Sequence, residues 1–251
     1  MIVLVRVPRH KWCPRSIPRW CLIPVALAAA ALIVVGLLMP SARGGYLPAS
    51  RVMANRVICL DAGHGGIDPG AVGASGAIEK RINLETARIL AGYLRAAGAT
   101  VVLTREGDED LADLFKHPQA RKVDDLDLRV EKAISSGADI FISIHCNKFP
   151  SSWEYGPQTF YVSKGHPDSR RLAETIQREL ARATDVTWRQ ALGNSQQYVL
   201  KQMSVPAVTV ELGFLSNPNE EALLTQPDYQ RRLAWAVFTG IARFLVEGLS
   251  T

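Results

Sequence analysis

The chain has 251 residues, a length that suits one ordinary domain with a short additional segment. Its formal net charge of +5 comes from the first forty residues, which hold five of the 29 basic side chains and none of the 24 acidic ones. Residues 41–251 therefore carry equal numbers of basic and acidic side chains, so the basic net charge does not imply a nucleic-acid-binding face, and we expect no nucleic-acid partner.

The N-terminal part of the chain predicts a membrane anchor. Residues 1–20 are basic, and residues 21–39 form an uncharged apolar stretch that is long enough to cross a hydrocarbon core of roughly 30 Å as one helix. Since positive charges stay on the cytoplasmic side, we expect a single-pass protein of the cytoplasmic membrane, with its N-terminus inside and everything after Met39 outside. A cleaved signal peptide is the alternative, but its apolar region is normally shorter, and Pro40-Ser41-Ala42 is a poor processing site.

After the anchor, residues 40–55 contain Pro, Gly and Ser without apolar periodicity, and we assign them to a linker. In residues 56–248, short apolar runs alternate with amphipathic stretches of helical period. The predicted strands are 56–60, 100–104, 139–145, 158–163 and 206–211, and the predicted helices are 80–97, 120–136, 167–183 and 227–247. This order predicts an α/β fold: one domain whose mostly parallel, twisted sheet is flanked by helices on both faces.

Two cysteines lie within this domain. Cys59 falls inside a predicted strand and Cys146 follows another strand directly, so we expect buried free thiols rather than a disulfide.

The glycine-rich turn after the first strand tests a nucleotide-binding alternative. Gly63 and Gly65 would need a third glycine at the position that Asp68 occupies, and Gly-Lys-Ser or Gly-Lys-Thr occurs nowhere in the chain. Both phosphate-binding patterns therefore fail. The absence of side chains at Gly63, Gly65 and Gly66 instead leaves room beside the backbone for a metal ion and a substrate.

Four polar residues are candidates for chemistry. His64, His145 and Glu211 each follow a strand-like run, and Glu79 lies at the start of a predicted helix. The carboxyl ends of neighbouring strands meet at one edge of an open α/β sheet, where ligands bind. Three of these residues also have an ordinary structural explanation. His64 could be a structural histidine in a loop, His145 a histidine of the core, and Glu79 an acidic residue in the first turn of a helix, where the helix dipole favours it. Only Glu211, an unpaired carboxylate at the end of an apolar strand, is costly without a function.

A zinc ion would explain all four residues together. Catalytic zinc commonly takes two histidines and one carboxylate as ligands, here His64, His145 and Glu79, and keeps one position for water, whose pKa falls to about 7. Glu211 would then take the proton of that water and deliver it to a leaving amine. The sequence therefore predicts a zinc hydrolase with Glu211 as its catalytic carboxylate.

The motifs around these residues resemble the signature segments of the zinc-dependent N-acetylmuramoyl-L-alanine amidases of bacterial cell walls. The matching segments are LDAGHGGIDPGA at 60–71, Glu79, SIHCN at 143–147 and VELGFLSN at 210–217. The resemblance covers about residues 56–248 and implies zinc on His64, Glu79 and His145, with Glu211 as the catalytic residue. It also implies that the substrate is peptidoglycan, with its glycan strands and stem peptides, and that the amide between N-acetylmuramic acid and L-alanine is cut.

Within that family, the chain resembles the germination-specific amidases of the spore cortex, which take part in forming muramic lactam. The resemblance rests on the single anchor, on the absence of wall-binding repeats, and on the segments RKVDDLDLRV at 121–130 and GPQTFY at 156–161. Cys146 departs from the family pattern, which usually has a small or aliphatic residue there. The short distance from His145 to Gln158 leaves little room for the inhibitory insertion of division amidases, so we expect control by a partner protein or by expression timing.

Three alternatives to this function stay open at the level of sequence. A non-catalytic peptidoglycan-binding domain would keep the fold and have no use for Glu211. A zinc peptidase or deacetylase would act on the same polymer and give different products. An amidase of vegetative wall turnover or division would share the chemistry and act at another time.

Overall fold

The computed structural model describes residues 49–112, 117–186 and 188–249. Six strands lie within them: β1 (Val57–Ala62), β2 (Thr100–Leu103), β3 (Ile140–Asn147), β4 (Gln158–Tyr161), β5 (Leu192–Gly193) and β6 (Ala207–Phe214). The helices there are α1 (Ala49–Met53), α2 (Glu79–Ala96), α3 (Pro118–Ser135), α4 (Ser169–Thr184), α5 (Tyr198–Lys201), α6 (Pro218–Leu224) and α7 (Pro227–Glu247).

The six strands form one sheet in the order β2-β1-β3-β6-β4-β5. Strands β2, β1, β3 and β6 are parallel, whereas β4 runs antiparallel to β6 and carries β5 on its outer side. The predicted α/β class and the helix-flanked single domain are confirmed, and the sheet is mixed because of β4. The cause is the connection from β3 to β4, residues 148–157, which is shorter than the crossover that a parallel return requires.

Two apolar clusters cover the two faces of the sheet. The larger one lies between the sheet and helices α1, α2, α4 and α7, and the smaller one joins the opposite face to α3 and α5. The alternation is visible in β1, where Ile58 and Leu60 belong to the larger cluster and Cys59 belongs to the smaller one. Cys59 and Cys146 are both buried and free, as the sequence predicts.

The predicted strands and helices agree with the observed ones to within a few residues, and four short elements were not predicted. Helix α1 falls inside the stretch that we assigned to a linker, residues 40–55, and its Val52 and Met53 are buried in the core. The folded part of the chain therefore includes residues 49–53. Strand β5 and helices α5 and α6 have no counterpart among the predicted elements, because a two-residue strand and helices of four and seven residues carry too little periodicity.

Within the described ranges, no helix has both the length and the apolarity needed to cross a membrane. The predicted anchor at residues 21–39, with its basic flank at residues 1–20, lies outside those ranges.

The strand register determines where the carboxyl ends of β1, β3 and β6 lie relative to one another. Ala62 of β1 pairs with Ile144 of β3, and His145 pairs with Glu211 of β6. The three parallel strands therefore end at one level, and the residues that follow β1 lie beside His145 and Glu211. This is the carboxyl edge at which open α/β sheets bind their ligands.

Candidate metal centre

His64 is the second residue after β1, and its backbone adopts a left-handed conformation with a φ of 63°. That conformation is uncommon for residues other than glycine, so contacts must hold it in place. Arg129 of α3 donates to the backbone oxygen of His64 at 2.7 Å, and Nδ1 of the ring lies 3.0 Å from a carboxylate oxygen of Asp68. These contacts turn Nε2 of His64 toward Glu79, whose Oε1 is 3.2 Å away.

Glu79 begins α2 and is only 3% exposed. Its Oε2 accepts a hydrogen bond from the backbone of Ala71 at 2.7 Å, and its Oε1 accepts one from the backbone of Cys146 at 3.0 Å. Asn83, one turn further along α2, donates to the same Oε1 at 3.2 Å. The carboxylate is therefore fixed by donors from three segments, and helix α2 does return it to the strand edge.

His145 completes a cluster of three side chains that could hold a metal ion. Its Nδ1 lies 3.0 Å from Oε1 of Glu79, and its ring meets that of His64 edge to face at a centroid distance of 4.9 Å. One donor atom from each of His64, Glu79 and His145 lies within 4.8 Å of the other two. Two imidazoles and one carboxylate at this spacing suit a single metal ion.

Two glycines allow this close approach. A Cβ atom on Gly63 would lie 2.2 Å from the His145 ring, and one on Gly70 would lie 2.6 Å from both Glu79 and His64. Gly65 and Gly66, which we expected to leave room for the metal, serve another purpose. A Cβ on either would collide with Glu109 or Asp110 in the loop after β2, so their lack of side chains permits loop packing instead.

The charges of the cluster favour a cation. Burial raises the pKa of Glu79, but hydrogen bonds and charge from His145 and His64 outweigh it and hold that pKa well below its usual range. Burial lowers the pKa of His64, yet Asp68 and Glu79 raise it overall to about 9. The two carboxylates thus draw positive charge into the site, which a metal ion can supply in place of a proton.

Glu211 lies on β6 directly opposite His145. Its Oε2 atom is buried and has no hydrogen-bond partner among the residues that the structure describes. Burial raises the pKa of Glu211 to about 7, while His145 lowers it and Glu79 raises it. An unpartnered carboxyl group with a pKa near neutrality is suited to accept and return a proton.

The cluster opens into a cleft of about 320 Å³. His64, His145 and Glu211 line its base. One wall comes from α3 and the other from α5 and the residues before it, and together these walls contribute Lys122, Asp125, Leu126, Arg129, Gln196, Gln197, Tyr198, Val199 and Leu200. The cleft therefore gives a substrate access to His64, His145 and Glu211 together.

A family model described as N-acetylmuramoyl-L-alanine amidase matches residues 58–243, which include the whole site. The chain belongs to this family of enzymes. The germination-specific N-acetylmuramoyl-L-alanine amidase of Bacillus subtilis (strain 168) is 40% identical over 203 residues, covering 80% of this chain and 85% of that protein.

Two solved structures agree with this assignment. The CwlD amidase from Clostridioides difficile, solved in complex with the GerS lipoprotein, is 41% identical with a TM-score of 0.75, covering 77% of this chain and 100% of that one. The catalytic domain of the amidase CwlV from Bacillus (Paenibacillus) polymyxa var. colistinus is 34% identical with a TM-score of 0.65, covering 76% and 98%. The family and the similarity to its germination-specific members, both predicted from the sequence, are confirmed.

The amidase site also depends on a buried ion pair that we did not predict. Asp61 accepts hydrogen bonds of 2.7 Å from Thr104, Ser143 and Arg129. Arg129 also donates to the backbone oxygens of Ala62 and His64. A signal was available in the sequence, because Asp61 is a charged residue in an apolar strand, just as Glu211 is.

Arg105 is a second missed residue of the amidase site. It is 1% exposed and donates to the backbone oxygens of Ala62, Gly63 and Lys80, which ties the end of β1 to the start of α2. Its partners are main-chain atoms, so no pattern of residue types could have identified it.

We expect Asp61→Asn to lower the free energy of unfolding by about 3 kcal/mol near neutral pH, because the change leaves the buried Arg129 without its full counter-charge. Burial raises the pKa of Asp61, but Arg129 and Ser143 outweigh it and lower that pKa from 3.8 to about 2. The carboxylate therefore stabilises the fold above about pH 4, and this contribution is lost as the pH falls toward 2.

Urea unfolding of both proteins at pH 6 and at pH 3 measures this difference, which should shrink at the lower pH. Asp228→Asn is the matched control, since its side chain is 92% exposed, and it should cost at most about 1 kcal/mol. Equal losses in the two variants would contradict the role given to Asp61.

Proposed function

We propose that this amidase is zinc-dependent and hydrolyses the amide between the lactyl group of N-acetylmuramic acid and the L-alanine of the stem peptide in peptidoglycan. The observation that carries the proposal is the convergence of His64, Glu79 and His145 within 4.8 Å, beside the unpartnered Oε2 of Glu211. Family membership supports peptidoglycan as the substrate.

The donor set fits zinc in particular. Two histidines and one carboxylate are a common catalytic zinc site, which leaves a position for water or substrate. The carboxylate of Asp68 contacts Nδ1 of His64. A zinc-binding histidine typically has such a carboxylate on its other ring nitrogen, which orients the ring and fixes its tautomer. Gly63 and Gly70 keep the backbone close without filling the site.

Zinc, when bound, supplies a Lewis acid that polarises the scissile carbonyl and lowers the pKa of water. Glu211 accepts a proton from the attacking water as the new C–O bond forms. The same carboxyl group then donates that proton to the nitrogen of L-alanine as the C–N bond breaks, and the peptide leaves with a free amine. Burial raises the pKa of Glu211 above that of an ordinary glutamate, which favours a carboxyl group that both accepts and returns a proton.

We expect Glu211→Gln to lower kcat by on the order of 10³-fold, because the amide cannot carry the proton, while the zinc content stays that of the wild type. Release of stem peptides from purified peptidoglycan and elemental analysis of the protein measure the two quantities. Glu85→Gln, at an exposed position on α2, is the control and should leave both unchanged. Wild-type activity in the Glu211 variant would overturn its assignment.

Mass spectrometry of the products separates the proposed reaction from its rivals. The amidase gives intact glycan chains and free peptides that begin with L-alanine. A peptidase gives shortened peptides that stay attached to the glycan, a deacetylase gives free amino sugars, and a non-catalytic binding domain gives no product.

We also propose a role in the spore cortex, where peptides are removed from selected muramic acids so that a deacetylase can act and the lactam can close. Similarity to a germination-specific relative supports it. Spores of a deletion strain should lack muramic lactam in muropeptide analysis. Normal lactam levels in those spores would point instead to vegetative wall turnover or division and leave the amidase chemistry intact.

For localisation, we propose that residues 21–39 tether the amidase to the cytoplasmic membrane and that the domain lies outside it. The supporting observation is the basic segment before an uncharged apolar stretch. A phosphatase reporter that is active only after export, fused after Thr251, should be active. An inactive reporter on a full-length, stably produced fusion would contradict this topology.

We propose, finally, that a regulatory protein binds this amidase. The CwlD amidase, which is 41% identical, was solved in complex with the GerS lipoprotein, and this supports the proposal. Purification of the chain from its own cells should recover one lipoprotein in a constant ratio, and recovery of the chain alone under mild conditions would count against it.

A further inference from the structure

Exposed aromatic side chains are concentrated at the carboxyl edge of the sheet. Six large aromatic residues are exposed within the described ranges, and four of them lie on two neighbouring segments: Phe149, Trp153 and Tyr155 between β3 and β4, and Trp188 before β5. Trp153 is 86% exposed and Trp188 is 54% exposed. Exposed rings that cluster beside a cleft are a typical mark of a binding surface.

These segments lie next to the strand that carries Glu211. The loop from 148 to 157 starts directly after β3, which carries His145, and ends at Gln158, which pairs with Glu211. Tyr155 is three residues from Gln158, so their Cα atoms are at most about 11 Å apart. Gln158 in turn donates to the backbone oxygen of Gln190 at 3.0 Å, close to Trp188 in the chain. A polymer held in the cleft can therefore reach these rings.

Arg189 fixes the ring of Trp188 and the backbone of Tyr155. Its guanidinium lies 4.3 Å from the ring of Trp188 and 4.5 Å from that of Phe214, which is three residues beyond Glu211 on β6. Arg189 also donates to the backbone oxygen of Tyr155 and to the side chains of Gln158 and Glu154.

The rings of Tyr155 and Trp188 meet edge to face at a centroid distance of 5.6 Å. Both are exposed, but Arg189, which is 9% exposed, ties them to the strand of the catalytic carboxylate. A surface ordered before binding loses little conformational entropy when a ligand arrives.

We propose that Tyr155 and Trp188 form a stacking platform for sugar rings of the glycan strand, next to the muramic acid whose amide is cut. The proposal rests on the proposed function and extends the substrate site beyond the cleft. A pyranose ring presents C–H groups on its faces and hydroxyl groups around its rim. The flat aromatic rings match the C–H faces, and the exposed rim of hydroxyl groups stays in water.

The choice of a sugar over a protein partner follows from the position of the platform. Gln158 pairs with Glu211, and its side chain contacts Arg189 and Gln190, so the platform lies beside the strand that carries the catalytic carboxylate. The sugars next to the reacting muramic acid have to lie near that strand, whereas a protein partner has no such constraint.

The test compares substrates of different glycan length, using the full chain. The substrates are a disaccharide carrying one stem peptide and a glycan of three such units. We expect Trp188→Ala to raise KM for the longer substrate by roughly fivefold, the value of one aromatic contact, and to leave kcat unchanged. The constants for the single disaccharide should stay those of the wild type. Trp188→Tyr keeps a ring and should restore most of the affinity.

Trp235→Ala is the matched control, because Trp235 is 55% exposed against 54% for Trp188 and lies on α7, where its ring contacts Tyr93 and Phe238. It should leave both substrates unaffected. Binding of a peptide-free glycan of six sugars, followed by calorimetry, gives a readout that needs no catalysis. Wild-type protein should bind this glycan about fivefold more tightly than Trp188→Ala.

The outcomes separate this proposal from the proposed function. Equal losses on the short and long substrates would overturn the platform, because they would mean that the catalytic site itself is damaged. Unchanged KM and unchanged glycan binding in Trp188→Ala would also overturn it and leave the rings to another occupant, such as a protein. Failure of the wild type to cut either substrate would refute the amidase reaction, while the calorimetric comparison would still decide on the platform.

Discussion

The contact on which the site depends most is the buried ion pair between Asp61 and Arg129. Asp61 ends the apolar run of β1, where an unpaired carboxylate would cost several kcal/mol, and Arg129 of α3 neutralises it. Arg129 also donates to the backbone oxygens of Ala62 and His64, and its Nε donates to Asp125 on its own helix. One guanidinium therefore joins helix α3 to the end of β1 and holds His64 in its left-handed conformation.

The strand register then positions the other residues of the site relative to the end of β1. The parallel pairing of β1, β3 and β6 brings the end of β1, His145 and Glu211 to one level, and α2 returns Glu79 to them through hydrogen bonds from Ala71 and Cys146. The result is a donor set with excess negative charge beside the partly buried carboxyl group of Glu211. Hydrogen bonds and the charges of the two histidines keep Glu79 ionised, and burial raises the pKa of Glu211; both conditions suit a metal-assisted hydrolysis.

The long elements were predictable from the sequence because their apolar periodicity extends over many residues, as in α7 at Pro227–Glu247. His64, His145 and Glu211 were predictable as candidates because each follows an apolar strand at the edge where ligands bind, and Glu79 because a zinc site explains all four residues together. The direction of β4 was not predictable from periodicity, since it depends on the length of a loop. The roles of Arg105 and of Gly65 depend on the positions of backbone atoms from distant segments, which residue types do not encode. The role of Asp61 was predictable but was missed, because a charged residue in an apolar strand is as costly at Asp61 as it is at Glu211.

The central claim is that one zinc ion binds to His64, Glu79 and His145, with Glu211 free to carry the proton. Anomalous diffraction from crystals of the zinc-loaded chain, recorded on both sides of the zinc absorption edge, tests this most directly. The account predicts one strong peak that lies about 2.0–2.2 Å from a nitrogen of each histidine and from an oxygen of Glu79. A peak that is bound by Glu211 in place of Glu79, or that lies outside this cluster, would contradict it.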